Sequence, residues 1–145
     1  MPTRSANADW EGTVKDGSGN VELGIGTYPF SHKTRVVNEE QSQTATNPEE
    51  LIAAAQAACY SMSLSVRLSG QGSPPEHIDT QCKVTLALSG LGMKISKITI
   101  ICQARVSGMS EEDFQKHAQI AKENCPISNA LAAVPIELQA SLITD

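Results

Sequence analysis

The first 45 residues alternate short apolar stretches with turn-forming residues, which is typical of small strands. The pattern predicts strands at 10–14, 21–25 and 33–37. The run Asp-Gly-Ser-Gly-Asn at 16–20 predicts the turn between the first two strands. Residues 38–45 are polar and predict a loop. The amino-terminal third is therefore expected to form a small sheet.

A long run that is almost free of charge follows and is typical of a buried helix. Thr46 and Glu49 have the capping-box spacing, and Pro48 suits the first turn, where its missing N–H is not needed. Residues 51–68 are rich in alanine and apolar around most of the helix circumference. We expect this helix to be buried on several sides, by the rest of the domain or by a second subunit.

The second half predicts a hairpin, two helices and a final strand. Apolar residues alternate with polar ones at 78–88 and again at 98–106, so these segments predict a long antiparallel hairpin with one buried side. Ser110 caps a helix, Cys125 interrupts it before a short second helix, and 136–142 predicts the last strand. The element order predicts one α+β domain over residues 1–145 rather than a repeated βαβ fold.

Composition and charge exclude several classes of function. Apolar residues make up 40% of the 145 residues and the net charge is −5, so a globular protein is expected, without a basic face for nucleic acid or an anionic membrane. Aromatic residues are only 3%, which argues against base stacking. There is no run of about 20 apolar residues and no hydrophobic leader, so a soluble cytoplasmic protein is expected.

The four cysteines suggest thiol chemistry rather than a structural disulfide or zinc. Their spacing contains no Cys-x-x-Cys pair, and a reducing cytosol disfavours a permanent disulfide. Cys82 and Cys102 lie on the apolar stripe of adjacent strands and are expected in the core. Cys125 precedes a proline that can start a helix. There it could be a reactive thiol with a lowered pKa or an inert packed one, and position alone leaves both open.

Cys59 lies within the long helix, where a buried, unreactive thiol is the simpler interpretation. Burial raises the pKa of a thiol, so Cys59 would react only if a cation such as an arginine were brought to it. Glu49 lies ten residues earlier on the same helix and could hold such an arginine, although helical geometry turns the two side chains to neighbouring faces. By itself, Glu49 is typical of a first-turn surface acid.

Two segments resemble the sequence motifs of the OsmC/Ohr family. Residues 46–62, Thr-Asn-Pro-Glu-Glu-Leu-Ile-Ala-Ala-Ala-Gln-Ala-Ala-Cys-Tyr-Ser-Met, resemble its signature helix. Residues 124–128, Asn-Cys-Pro-Ile-Ser, resemble its second cysteine motif. The opening Trp-Glu-Gly at 10–12 and the acidic segment after Ser110 also fit, so the resemblance covers essentially the whole chain. The Asn-Pro-Glu-Glu-Leu form is similar to the OsmC branch.

The resemblance implies a cysteine-based thiol peroxidase. It would reduce organic hydroperoxides, and hydrogen peroxide more weakly, to alcohols or water in oxidative and osmotic stress defence. Cys59 would attack the peroxide and become a sulfenic acid, and Cys125 would close a disulfide with it. Arg35 would match the family's arginine and Glu49 its carboxylate. The resemblance thus reverses the preference from position alone, which favours Cys125 as the nucleophile. His32 stands where the family usually has phenylalanine.

The resemblance also implies an intertwined homodimer, in which antiparallel sheets wrap long buried central helices and the active sites lie at the subunit interface. No metal or cofactor is expected, and an external dithiol, such as a lipoylated protein, would reduce the disulfide. Neither nucleic acid nor a membrane is an expected partner. The alternative is a non-catalytic stress protein of the same fold that binds an apolar small molecule in the interface pocket, but such a protein has no need of two thiols.

Overall fold

The computed structural model describes residues 1–37 and 44–144, and the chain divides into two compact units, Met1–Leu51 and Ile52–Asp145. The α+β composition predicted from the sequence is confirmed. Most of the predicted loop at 38–45 lies outside the described residues. The assignment of 1–145 as one domain stays a prediction.

The amino-terminal unit contains a small antiparallel sheet of three strands in chain order, β1 (Asn7–Ala8), β2 (Gly19–Leu23) and β3 (Gly26–Phe30). The predicted strand at 10–14 is wrong, since in that segment only Glu11 makes a β-bridge, to Ser18. Gly12 adopts a φ of 91°, which interrupts any extended run there.

A second correction concerns 33–37, which forms the short helix α1 (His32–Val36) instead of a strand. Ser31 and Thr34 account for the difference. The Ser31 hydroxyl accepts the Thr34 N–H, and the Thr34 hydroxyl accepts the Ser31 N–H in return. This reciprocal cap satisfies two backbone donors and outweighs the strand preference of the neighbouring threonine and valines. It places Arg35 in the last turn of α1.

The long helix is present as α2 (Pro48–Gly70), with Pro48 in its first turn. Its cap lies one residue later than predicted. Asn47 Oδ1 accepts the Glu50 N–H at 2.8 Å, whereas Thr46 donates its hydroxyl to the Glu50 carboxylate. An asparagine is at least as good an N-cap as a threonine, and Pro48 then falls at the first helical position. As a result, the Glu49 side chain is not used in the cap.

The carboxy-terminal unit contains a sheet in the order β4 (His77–Ser89), β5 (Gly92–Arg105), β6 (Ile136–Leu142). The predicted hairpin is confirmed by the antiparallel pairing of β4 with β5. β6 runs parallel to β5, so the expectation of purely antiparallel sheets is wrong. The connection through α3 (Glu111–Asn124) and α4 (Pro126–Ala130) makes this possible, because a parallel strand needs a long crossover.

The core of this unit forms between the sheet and one stripe of α2. Buried side chains four residues apart on α2 join residues of β5 and α3 in a single cluster, which includes Tyr60, Leu64, Leu68, Ile100, Cys102, Ala104, Phe114, Ala118 and Ala121. The Tyr60 hydroxyl donates to the Ala118 carbonyl at 3.1 Å, which satisfies the one polar atom of that side chain. This contact ties α2 to the middle of α3.

The opposite stripe of α2 is open, so the helix is not buried on several sides by its own chain. Met62 is 69% exposed and Val66 is 74% exposed. By length and composition α2 could cross a membrane, contrary to the expectation from the sequence, but core helices of soluble proteins meet the same criterion. An apolar stripe opposite a packed one is typical of a helix that contacts a further protein surface.

Truncation of Leu64 should reveal how much of the stability lies in this cluster. Leu64 is completely buried, so Leu64→Ala is expected to lower the free energy of unfolding by about 2–5 kcal/mol, through lost burial and an unfilled cavity. Urea unfolding would measure this difference. The matched control is Leu91→Ala at the exposed hairpin turn, where a change within about 0.5 kcal/mol is expected. Equal changes in the free energy of unfolding at both positions would contradict the conclusion that this cluster stabilises the fold.

Candidate active site

An ion pair joins the two predicted charged residues of the amino-terminal unit. Arg35 Nε and Nη2 both donate to Glu49 Oε1, at 2.9 and 2.7 Å. The Glu49 side chain is only 9% exposed, whereas that of Arg35 is 39% exposed. The other carboxylate oxygen, Oε2, is buried and has no hydrogen-bond partner in the described part of the chain. Two donors on one oxygen fix the plane of the guanidinium and leave its remaining N–H groups for another acceptor.

The two predicted cysteines lie together in the carboxy-terminal unit. Cys59 is in the middle of α2, and Cys125 lies at the junction where α3 ends and α4 begins. Their Sγ atoms are 3.0 Å apart, and both are free thiols. Pro126 at the start of α4 stops α3 at this point and thereby fixes the position of Cys125. The pair is within hydrogen-bonding distance, and a disulfide between the two would require only a small further approach.

The surroundings of Cys59 raise the pKa of its thiol. Burial is the largest cause, and the neighbouring Cys125 sulfur acts in the same direction. The Ile127 N–H and the Ser63 hydroxyl oppose these effects without cancelling them. Within this unit Cys59 is therefore the thiol that keeps its proton. A nearby cation would be needed to make it a thiolate at neutral pH.

The surroundings of Cys125 lower the pKa of its thiol. Burial alone would raise that pKa, since the residue is completely buried. The hydrogen bond with Cys59, the N–H and hydroxyl of Ser128 and the Ile127 N–H outweigh burial. These N–H groups belong to the first turn of α4, where backbone donors have no partner within the helix. Of the two thiols, Cys125 is therefore the one that loses its proton more readily.

A buried glutamine completes this environment. Gln56 is fully buried, and its Nε2 lies 2.9 Å from Ser128 Oγ and 3.6 Å from Cys125 Sγ. Its Oε1 is buried and has no hydrogen-bond partner among the described residues. An unpaired buried polar atom costs about 1–3 kcal/mol, so this amide is not explained by stability alone.

Cys59 opens onto a groove of about 510 Å³, whereas Cys125 is not among the residues that line it. The groove runs along α2 toward its carboxyl end and is bounded on the other side by α3 and the start of α4. It is lined by Cys59, Met62, Ser63, Val66, Arg67, Gly70, Gln71, Ala121, Asn124 and Pro126. A small molecule with an apolar body could thus reach the Cys59 sulfur first.

The other two cysteines lie in or against the core. Cys102 is buried within the central cluster, and Cys82 packs against it. Burial raises the pKa of Cys82 to about 11 and also raises the pKa of Cys102. Both are therefore neutral thiols at physiological pH. Among the described residues, no group of three or more His, Cys, Asp or Glu side chains is arranged to hold a metal ion.

Two polar residues of the site were missed by the sequence reasoning, Gln56 and Ser128. Gln56 does leave a signal, because it is the one amide in the apolar run that precedes Cys59, three residues away on the same helix. Ser128 belongs to the second cysteine motif but was given no role. Its position in the first turn of α4 explains why it faces Cys125.

Comparisons with known proteins agree on one family. The model of the family described as OsmC-like protein matches residues 40–139. The Peroxiredoxin OsmC of Escherichia coli (strain K12) is 39% identical over 133 residues, which are 90% of either chain.

Solved structures share the fold. An organic hydroperoxide resistance protein OsmC from Legionella pneumophila is 23% identical, with a TM-score of 0.69 and coverage of 99% of this chain and 100% of that one. The organic hydroperoxide resistance protein OhrB of Bacillus subtilis is 24% identical, with a TM-score of 0.68 and coverage of 94% and 98%. At these identities the similarity bears on the fold.

Proposed function

The chain belongs to the OsmC family, and from this premise we propose that it is a thiol peroxidase for organic hydroperoxides with Cys59 as its nucleophile. The observation that carries the proposal is the pair of free thiols 3.0 Å apart, of which only Cys59 lines the groove. Peroxidase activity at the level of the family is supported by the relative named a peroxiredoxin. The preference for organic hydroperoxides is supported by the apolar side chains of Met62 and Val66 beside Cys59.

In the first step, the Cys59 thiolate attacks one peroxide oxygen. The O–O bond breaks, an S–O bond forms, and the leaving alkoxide takes a proton and departs as an alcohol. Sulfur is oxidised by two electrons and the peroxide is reduced by two. Because the pKa of Cys59 is raised in the cysteine pair, the step needs a cation that stabilises the Cys59 thiolate. We propose that Arg35, oriented by Glu49, supplies it and also polarises the peroxide.

In the second step, the Cys125 thiolate attacks the Cys59 sulfur of the sulfenic acid. The S–O bond breaks, a disulfide forms, and the hydroxide takes a proton and leaves as water. The hydrogen bonds that lower the pKa of Cys125 favour the thiolate that makes this attack. The position of Cys125 therefore suits a resolving thiol, although the sequence pattern alone pointed to a nucleophile.

Turnover requires an external dithiol to reduce the Cys59–Cys125 disulfide, and a lipoylated protein is the partner that we propose. The chemistry of both steps is complete with sulfur, oxygen and protons, so the proposal includes no metal or prosthetic group. A reducing compartment would supply the dithiol, which is consistent with a cytoplasmic protein. The stress in which the enzyme acts is proposed to be oxidative or osmotic.

We further propose that two chains form a homodimer through the open stripe of α2. Exposed residues three or four positions apart on this stripe are Ala55, Ala58, Met62 and Val66. Small and apolar side chains at this spacing allow a second helix to pack closely. A partner helix here would also cover the groove in which Cys59 lies and exclude water from it.

Introduction of a charge into this stripe should separate the subunits. Met62→Glu would bury an unpaired carboxylate at the interface, so a mass close to one chain is expected where the wild type gives two. Light scattering after size exclusion measures the mass. Leu91→Glu at the exposed hairpin turn is the matched control and should leave the mass unchanged. A wild-type protein of one-chain mass would refute the dimer.

Removal of the Arg35 charge should slow the first step. Arg35→Met keeps most of the side-chain length, and the rate constant for Cys59 oxidation is expected to fall by about 10²–10³-fold, as for other preorganised charge contacts. Stopped-flow measurement with cumene hydroperoxide gives this rate constant. Lys33→Met, in the same short helix, removes an exposed charge and should change the rate less than about twofold. Equal rates in all three proteins would exclude Arg35 as the activating cation.

The alternative function is that of a non-catalytic protein that binds an apolar small molecule in the groove. The proximity of Cys59 and Cys125 favours the enzyme, because binding alone does not require two thiols in contact. Turnover of cumene hydroperoxide and hydrogen peroxide with a dithiol reductant separates the two functions. A higher rate with cumene hydroperoxide is expected from the apolar groove. Absence of turnover in a folded protein would favour the binding function.

A further inference from the structure

The Gln56 side chain is placed to act on two residues of the second cysteine motif, Cys125 and Ser128. Its Nε2 carries two hydrogens, and it lies 2.9 Å from Ser128 Oγ and 3.6 Å from Cys125 Sγ. The residue is completely buried, so water does not compete for these hydrogen bonds. A single amide on α2 thus contacts the capping residue and the first turn of α4.

The carbonyl oxygen of the same amide, Oε1, indicates that Gln56 is not present for the stability of the fold. Oε1 is buried without a hydrogen-bond partner in the described residues. Buried amides that serve only the core are normally satisfied at both ends, and an apolar side chain of the same shape would avoid the unpaired oxygen. The hydrogen bonds donated by Nε2 therefore explain why a glutamine occupies this position.

We propose that Gln56 is a positioning residue for the second step, which holds the Cys125 sulfur against Cys59 and sets the rate of disulfide closure. The proposal rests on the proposed function, because it concerns the fate of the Cys59 sulfenic acid. In that step the Cys125 sulfur forms the S–S bond, the S–O bond of Cys59 breaks, and hydroxide leaves as water after taking a proton. Gln56 donates N–H hydrogen bonds throughout this step and neither gains nor loses a proton.

The local architecture explains why closure needs such a residue. Cys125 is joined to α3 before it and to α4 after it, and its side chain does not form a regular cap of α4, although the Ile127 and Ser128 N–H groups act on its sulfur. Rotation about its Cα–Cβ bond would swing the sulfur away from Cys59. An N–H donor on α2 favours the rotamer that faces Cys59 and stabilises the thiolate form that attacks. Gln56 lies one helical turn before Cys59, so it carries this donor on the same rigid element.

The test uses Gln56→Met in the full-length protein. Methionine keeps the length and flexibility of the side chain but has no N–H donor. The reduced protein is mixed with one equivalent of cumene hydroperoxide, peroxide loss is followed by stopped flow, and the sulfenic acid is trapped with dimedone and counted by mass spectrometry. Peroxide loss should be no slower than in the wild type, because a weaker donor to Cys125 does not disfavour the Cys59 thiolate. Disulfide closure should slow by about 10–100-fold, in keeping with the loss of one hydrogen bond to a charged group.

Two further readouts distinguish positioning from a merely structural role. The melting temperature of Gln56→Met should stay close to that of the wild type, because loss of the hydrogen bond to Ser128 is offset by removal of the unpaired Oε1. The pKa of Cys125, titrated in a Cys59→Ser background by thiolate absorbance, should rise when Gln56 is replaced. Among the described residues, the titratable groups that interact with Cys125 are Cys59 and Tyr60, and burial raises the pKa of Tyr60 so that it stays neutral during the titration.

Control variants make each outcome informative. Gln81→Met places the same substitution on the exposed side of β4 and should leave both steps unchanged. Gln56→Glu keeps the side-chain shape but offers the thiolate an acceptor instead of a donor, so it should also slow closure and serves if Gln56→Met does not fold. Normal closure in a folded Gln56 variant, with a normal first step, would overturn the role of Gln56 alone. Absence of peroxide loss in the wild type would refute the proposed function instead.

Discussion

Cys59→Ser is expected to abolish peroxide turnover in a protein that folds normally. Serine has nearly the size of cysteine, but its hydroxyl is neutral at physiological pH and cannot form a sulfenic acid. The kcat/KM for cumene hydroperoxide should therefore fall by about 10³-fold or more, to the background rate. Cys59 is half-buried in the middle of α2 and touches Cys125, so circular dichroism should accompany the kinetics to show that the helix is retained.

The controls for this prediction are the two core cysteines. Cys82→Ala and Cys102→Ala remove thiols whose pKa is raised by burial, and peroxidase activity should be retained. Both side chains pack in or against the central cluster, so a loss of stability is expected instead, larger at the fully buried Cys102. Normal multiple turnover in Cys59→Ser would show that the nucleophile has been assigned wrongly. Loss of activity in a folded Cys82 variant would show that Cys82 has been assigned wrongly to the core cysteines.

The carboxy-terminal unit was predictable from the sequence because its signals are long and local. Alternation over more than ten residues fixes the hairpin of β4 and β5, and a Cys-Pro junction fixes the boundary between α3 and α4. The amino-terminal unit was less predictable because its elements are short. In α1, one reciprocal cap between Ser31 and Thr34 decides the conformation of five residues. The direction of β6 was missed because no local pattern encodes which edge of a sheet a strand will join.

In the candidate site, the sequence motifs identified the reacting residues, but the folded geometry was needed to show what surrounds each of them. Cys59, Cys125, Arg35 and Glu49 were named through a resemblance, and the residues themselves favoured a different nucleophile. Within the chain, burial raises the pKa of Cys59, and hydrogen-bond donors lower the pKa of Cys125, as its helix-start position indicates. What sequence position does not encode is access, because only the folded groove shows that Cys59 faces outward and Cys125 does not. The donors Gln56 and Ser128 were missed for the same reason.

Cys125→Ser is expected to permit one oxidation of Cys59 and then to stop. The first step does not use the Cys125 sulfur, so one equivalent of peroxide should be consumed per chain. That step should be faster at neutral pH, because two of the causes that raise the pKa of Cys59 disappear with the Cys125 thiol, although burial, the largest cause, remains. Without a resolving thiol, the sulfenic acid should persist and, with excess peroxide, advance to the sulfinic acid, which a dithiol does not reverse.

Mass spectrometry of the Cys125→Ser protein checks this prediction directly. The wild type treated with peroxide should lose the mass of two hydrogen atoms as the disulfide forms, and a dithiol should restore its mass. The variant should gain one oxygen with one equivalent of peroxide and two with excess. A variant that sustains dithiol-dependent turnover would mean that the external thiol attacks the Cys59 sulfenic acid itself. The 3.0 Å approach of the two sulfurs would then not be required for resolution, and the lowered pKa of Cys125 would require another explanation.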